Sequence, residues 1–270
     1  MDAAQKFQLD QQAAERYEQF VEPVMAPFVE TLIDATAVHE GDSVLDVACG
    51  TGFVARAAAA RLGPDDRVVA SDLNPAMLAV GAHAATSSIP TIEWRQASAD
   101  ELPFAEHSFD VVTCQQGLQF MSDLNAAMSS AKRVLRPAGR LAATVWASME
   151  RSPYMLAQYE SLVEILGADQ VASFQAAFAM TADQLRDAAE QAGFIDVDVT
   201  DIECMIQLPP LPSFAADHLT ALPWGKQLVD NGPGAIHAAA AAITGQLDKH
   251  RSSEGTVDVP FVSILLTARS

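Results

Sequence analysis

Val44-Leu45-Asp46-Val47-Ala48-Cys49-Gly50-Thr51-Gly52 runs directly into Phe53-Val54-Ala55-Arg56-Ala57-Ala58-Ala59-Ala60-Arg61-Leu62. The first part is a run of apolar strand formers interrupted by an acid; the second is alanine-rich, without glycine or proline until Gly63. That pattern predicts a buried strand, a glycine turn and a helix. Gly50 and Gly52 lack a Cβ, so the backbone there can take positive φ and admit a ligand closely. The N–H groups and positive dipole end of the helix then face a carboxylate or phosphate. Asp46 places a negative charge beside that anion site. A ligand carrying both signs, such as an amino acid moiety, fits better than a pyrophosphate.

Val68-Val69-Ala70-Ser71-Asp72 predicts a second buried strand, ending in an acid 20 residues after Gly52. A carboxylate at that separation, on the tip of the neighbouring strand, is placed to accept from ribose hydroxyls. Nicotinamide cofactors are the rival ligand, but their motif needs three glycines where this chain has Ala48, Gly50 and Phe53. Phe53 would block the close helix-to-strand packing that the third glycine permits. A nucleotide without a pyrophosphate suits the residues better.

Five segments follow one another at characteristic spacing: Asp46–Gly52, Asp72–Leu78, Leu102–Phe104, Ser108–Val112 and Arg133–Leu141. Together, over about residues 40 to 147, they resemble the class I S-adenosylmethionine-dependent methyltransferases, in the branch similar to ubiquinone and menaquinone biosynthesis enzymes. The resemblance implies an α/β fold: a doubly wound, Rossmann-like sheet of seven mainly parallel strands with an antiparallel last strand, plus helical lid and cap insertions. It implies S-adenosyl-L-methionine as cofactor, with contacts from Asp46, Ala48, Gly50, Gly52, Asp72, Leu73, Met77, Ser98, Ala99, Gln115 and Tyr17. Similar methyltransferases carry an aspartate for the adenine amino group where this chain has Ser98; either Ser98 or Asp100 takes that contact here. Many relatives also place a histidine where Gln119 sits. Glutamine is no base near neutral pH, though its amide can orient an acceptor. Gln119, His218 and His237 remain the catalytic candidates.

Composition narrows the class. Thirty-five acidic against 16 basic residues give a net charge of −19, which disfavours nucleic acid and anionic membranes as partners. Half the residues are hydrophobic and 19% charged, which suits a folded globule and excludes a disordered chain. Cys49, Cys114 and Cys204 form no C-x-x-C pair. We expect reduced thiols in the core of a cytoplasmic protein, without a disulfide framework or a zinc site. Met1–Lys6 lacks the basic start and apolar run of a signal peptide, and no run of about 18 apolar residues predicts a membrane span. No histidine spacing suggests a metal.

Outside residues 41–147 the pattern is helical. Asp10 to Phe20 and Pro23 to Ala35 predict two helices within an N-terminal lid, residues 1–40; Tyr17 and Phe20 are placed near the ligand by analogy with similar enzymes. Residues 148–180 read as one cap insertion and 207–256 as another, while 181–206 and 257–270 complete the sheet. Ile195, Val197 and Val199 alternate on odd positions, but Ile202, Cys204 and Ile206 on even ones, which predicts a β-bulge near Thr200-Asp201. The insertion at 207–256 is either a substrate lid or the contact surface of a homodimer. Aromatic and Met residues concentrated outside the sheet point to a small, largely apolar acceptor, with oxygen the favoured methyl-receiving atom and carbon next. A non-catalytic S-adenosylmethionine-binding protein and a nicotinamide oxidoreductase are the alternatives.

Overall fold

A computed structural model describes residues 9–85, 87, 88 and 90–270; the stretch Met1–Lys6 lies outside them. The chain opens with α1 (Gln11–Phe20) and α2 (Glu22–Thr36), then enters the sheet at β1 (Ser43–Val47). Next come α3 (Phe53–Ala59), β2 (Arg67–Asp72), α4 (Pro75–Ala84), β3 (Ile92–Gln96) and β4 (Phe109–Gln115). α5 (Leu124–Val134) leads into β5 (Leu135–Trp146). After it stand α6 (Pro153–Leu166), the short α7 (Ala172–Ala176), α8 (Ala182–Gln191) and β6 (Ile195–Leu208). The helices α9 (Leu211–Thr220), α10 (Trp224–Asp230) and α11 (Ala235–Leu247) precede the last strand, β7 (Val257–Arg269).

The sheet has the order β3-β2-β1-β4-β5-β7-β6, with β7 antiparallel to both neighbours and the remaining pairs parallel. This is the expected doubly wound topology with an antiparallel last strand. Strand order reverses between β1 and β4, and a crevice opens there at the carboxyl ends of the strands. Local chemistry sets the helix starts: Asp10, Asn74 and Asp123 each cap a helix through a side-chain oxygen, and Thr181 with Gln184 forms a capping box.

The predicted bulge near Thr200-Asp201 is absent. Pairing with β7 runs unbroken from Asp198 to Leu208, and the register slips only between Ile195 and Asp198, where Asp196 has φ +50°. The change of phase has another cause. Val197 and Val199 face the cluster that includes Leu185 and Ala188 of α8, whereas Ile202 packs with Leu32 and Ile33 of α2 on the opposite face. An edge strand covered on one face early and on the other face late must switch parity without an inserted residue.

The cap is not a separate globule. Its helices share one apolar cluster with Trp146 and Phe261 from the ends of β5 and β7, and with Phe28 of α2. β6 and β7 form a long hairpin that carries the cap over the crevice. Ion pairs then fasten the lid helix: Arg16 Nη2 donates to Asp217 Oδ1 of α9 at 2.9 Å, and Glu18 accepts from Arg56 of α3 at 2.7 Å.

Candidate active site

The turn after β1 is built from left-handed backbone: φ is +53° at Ala48, +56° at Gly50 and +86° at Gly52. The Gly50 N–H donates to Asp72 Oδ2 at 2.8 Å, and the Asn74 N–H donates to Oδ1 of the same carboxylate, also at 2.8 Å. Each oxygen keeps a further lone pair for a ligand hydroxyl. The two glycines do different things. A Cβ on Gly50 would meet nothing nearer than Met77 Cε and Tyr17 Cε1, both at 3.9 Å, so Gly50 opens toward a ligand. A Cβ on Gly52 would run into the Trp94 indole, which also packs over Gly81. Gly52 therefore makes room for a core indole and does not border the cavity, contrary to the expectation of ligand contact.

A cavity of about 310 Å³ lies above this turn. Tyr17, Asp46, Ala48, Gly50, Asp72, Leu73, Met77, Ser98, Ala99 and Gln115 all border it. Tyr17 stacks on Phe53 with ring centroids 6.1 Å apart, and burial beside Asp72 raises its phenol above the ordinary range. Asp46 is only 1% exposed; it accepts from Thr113 Oγ1 and from the Ala55 N–H, so it also caps α3 from below. Burial, opposed by those two hydrogen bonds and reinforced by Asp72, pushes the Asp46 carboxyl up to about 7. Burial likewise raises Asp72, against hydrogen bonds from Asn74, Gly50 and Leu73. Asp100 joins the wall as well: its Oδ2 accepts from Ser122, while Oδ1 is buried with no partner among the described residues. Among the described residues, no lysine or arginine lines the cavity.

Opposite the turn, the walls come from the cap and from β5: Trp146, Met155, Phe174, Phe178, Leu222 and Trp224. Among the catalytic candidates, only His218 borders the cavity. It is 2% exposed, its Nδ1 lies 2.8 Å from Gln158 Nε2, and burial pushes its pKa down to about 3. Gln119 turns inward instead, donating to Gln116 Oε1 at 3.3 Å, and Gln116 and Gly117 occupy the wall in its place. His237 sits exposed on α11, away from the cavity. Phe20 is also off the cavity wall, held under Arg16 with 5.2 Å from Cζ to the ring centroid. Sequence reasoning missed Gln158 and Trp224. Their signal was faint, one polar residue in the apolar face of α6 and a tryptophan just after Leu222-Pro223. Among the described residues no cluster of His, Cys, Asp and Glu is arranged to hold a metal, and no helix is long and apolar enough to cross a membrane.

Residues 44–139 match the family described as "Methyltransferase domain". The chain contains a class I S-adenosylmethionine-dependent methyltransferase domain. The chain is 41% identical over 111 residues to the ubiquinone/menaquinone biosynthesis C-methyltransferase UbiE of Francisella tularensis, covering 40% of this chain and 44% of the relative. UbiE of Hahella chejuensis gives 41% over 111 residues, covering 40% and 45%. The match thus spans less than half the length of these curated relatives. Solved structures share the fold around the domain. YcgJ of Bacillus subtilis superimposes with a TM-score of 0.59 at 17% identity, covering 91% of this chain and 98% of that one. Phosphoethanolamine N-methyltransferase 2 of Haemonchus contortus, in complex with S-adenosyl-L-methionine, gives 0.58 at 19%, covering 90% and 52%. The [4+2]-cyclase SpnF gives 0.56 at 22%, covering 90% and 80%.

Proposed function

We propose that this chain transfers the methyl group of S-adenosylmethionine to a small, largely apolar, uncharged acceptor enclosed beneath the cap. The single observation that carries this reading is the wall opposite the glycine turn: aromatic and aliphatic side chains from the cap and β5, with no lysine or arginine among the described residues. A phosphorylated or carboxylated acceptor finds no counter-charge there, while Asp46, Asp72 and Asp100 suit a cofactor that carries positive charge.

The residues fit that cofactor. Asp72 has lone pairs left for ribose hydroxyls, Gly50 leaves open the space a side chain would fill, and Asp100 Oδ1, near Ser98 in sequence, is a buried acceptor without a partner among the described residues, available to an adenine amino group. Met77 and Leu73 supply apolar surface for the base; Leu73, 42% exposed, is the side chain such a base would cover. When bound, S-adenosylmethionine supplies an activated methyl on a sulfonium. The chain's own task is to align an acceptor atom in line with that methyl and to exclude water. Alignment alone contributes about 7–11 kcal/mol to such displacements, so a strong base is not required for every acceptor.

Oxygen is our favoured receiving atom. Carbon is the second reading, supported by the UbiE C-methyltransferases that match 111 residues of this chain. Mass spectrometry of labelled methyl transfer across phenols, quinones and amines tests the reading. Transfer to a member of the panel is the expected result; transfer only to nucleic acid or protein would overturn it.

A further inference from the structure

Two buried polar atoms in the cap, and one ring nitrogen beside them, have no role in the fold. Gln158 Oε1 and Trp224 Nε1 are buried and lack a partner among the described residues. His218 has one ring nitrogen, Nδ1, held by Gln158 at 2.8 Å, and no partner on Nε2 among the described residues. All three residues border the same cavity, in a wall that is otherwise apolar. A buried polar atom left unpaired costs about 1–3 kcal/mol, so two of them beside the free ring nitrogen of His218 ask for a ligand that pairs them.

The hydrogen-bond chemistry specifies that ligand. Gln158 Nε2 donates to His218 Nδ1, which makes Nδ1 the acceptor and leaves the proton on Nε2. Tyr154, ring centroid 5.5 Å away and edge-on, and Phe214, at 5.4 Å, clamp the imidazole in place. Its burial keeps the ring neutral. The lobe therefore presents two neutral donors, His218 Nε2–H and Trp224 Nε1–H, and one neutral acceptor, Gln158 Oε1.

We propose that His218, Trp224 and Gln158 form an oxygen-recognition subsite for a neutral hydroxy-carbonyl compound, the two donors meeting the carbonyl or ring oxygen and the glutamine carbonyl meeting a hydroxyl. The inference rests on reading this lobe as the acceptor site. His218 acts here as a fixed donor that selects and orients the acceptor. Sites that hydrogen-bond a ligand's oxygen reject analogues lacking it far more strongly than an apolar pocket rejects a change of size.

The test uses the full chain saturated with S-adenosylhomocysteine and three probes of similar size in calorimetry: ortho-hydroxyacetophenone, ethylbenzene and salicylate. Wild type is expected to bind the hydroxy ketone at least about tenfold tighter than ethylbenzene and to bind salicylate weakest of the three. His218→Phe and Trp224→Phe, each verified as folded by thermal denaturation and by unchanged S-adenosylhomocysteine affinity, are expected to shrink the ratio of hydroxy ketone to ethylbenzene several-fold. Equal binding of the two neutral probes by wild type, tighter binding of salicylate, or a ratio preserved in both folded variants would overturn the proposal. Methyl transfer is scored separately. A binding preference without turnover defeats the proposed function and leaves the subsite standing; turnover without the preference does the reverse.

Discussion

Asp72 Oδ2 accepts the Gly50 N–H at 2.8 Å, so one carboxylate both locks the glycine turn after β1 and faces the cavity. The second bond, from Asn74 to Oδ1, ties the same side chain to the start of α4. Asp72→Ala should therefore weaken S-adenosylmethionine binding by about 1.5–3 kcal/mol, the scale of hydrogen bonds to a charged group. It should also lower the melting temperature, because two part-buried N–H donors lose their acceptor. Calorimetry and thermal denaturation on the variant read both effects, and unchanged affinity would mean that the ribose lies elsewhere.

The two glycines of the turn separate binding from folding. Gly50→Ala has space for its methyl, so its cost is the left-handed φ of +56°, about 1–2 kcal/mol, together with loss of cofactor affinity. Gly52→Ala adds a clash with Trp94 to the strain of φ +86° and should cost about 2–5 kcal/mol. Urea denaturation should rank Gly52→Ala well below Gly50→Ala. The reverse ranking would remove Trp94 as the reason for Gly52.

Stability should depend on Asp46 with a defined sign. Its folded value of about 7 lies above the ordinary 3.8, so between those limits the folded, ligand-free protein binds more protons than the unfolded chain. The stabilisation is complete below about pH 4 and is lost as pH rises through 7. Asp72, also raised, acts in the same direction. Relative to Asp46→Asn, wild type should lose about 1–3 kcal/mol between pH 5 and pH 8. Positive charge on the cofactor favours the ionised carboxylates, so S-adenosylmethionine affinity should rise over the same interval. A pH-independent difference between the two proteins would contradict the assignment.

Arg16 bridges α1 to α9 through Asp217 and through Thr220 Oγ1, the latter at 2.5 Å. These side chains are a third or more exposed, so the pair is screened and contributes at most about 1 kcal/mol. Arg16→Ala should accordingly leave the melting temperature within a few degrees of wild type. It should speed S-adenosylhomocysteine dissociation roughly two- to fivefold in stopped-flow, as a loosened lid would. A melting point lowered by ten degrees, with no change in dissociation, would make the contact purely structural.

Residues 44–139 were legible because the chemistry is local there: strand, turn, cap and helix are each set by neighbours in sequence, and Asp46, Gly50, Asp72 and Met77 all came to one cavity. What was misread depends on contacts distant in sequence. Gly52 answers to Trp94, 42 residues on. The parity change in β6 answers to helices on opposite faces, so a single strand's pattern mimicked a bulge. Gln119 inherited its candidacy from a position in relatives, yet the turn Leu118–Phe120 directs it toward Gln116. α10 went unpredicted, a helix of 7 residues that carries little periodicity of its own. His218 and His237 look alike in sequence; packing alone distinguishes the buried ring from the exposed one.

A crystal structure of the chain with S-adenosylhomocysteine is the most direct test of the whole account. It should show ribose hydroxyls within hydrogen-bond distance of Asp72, the amino acid moiety at the turn containing Gly50, the adenine between Met77 and Leu73, and the sulfur facing the lobe of His218 and Trp224. A nucleoside bound outside this crevice, or one whose sulfur faces away from that lobe, would contradict it.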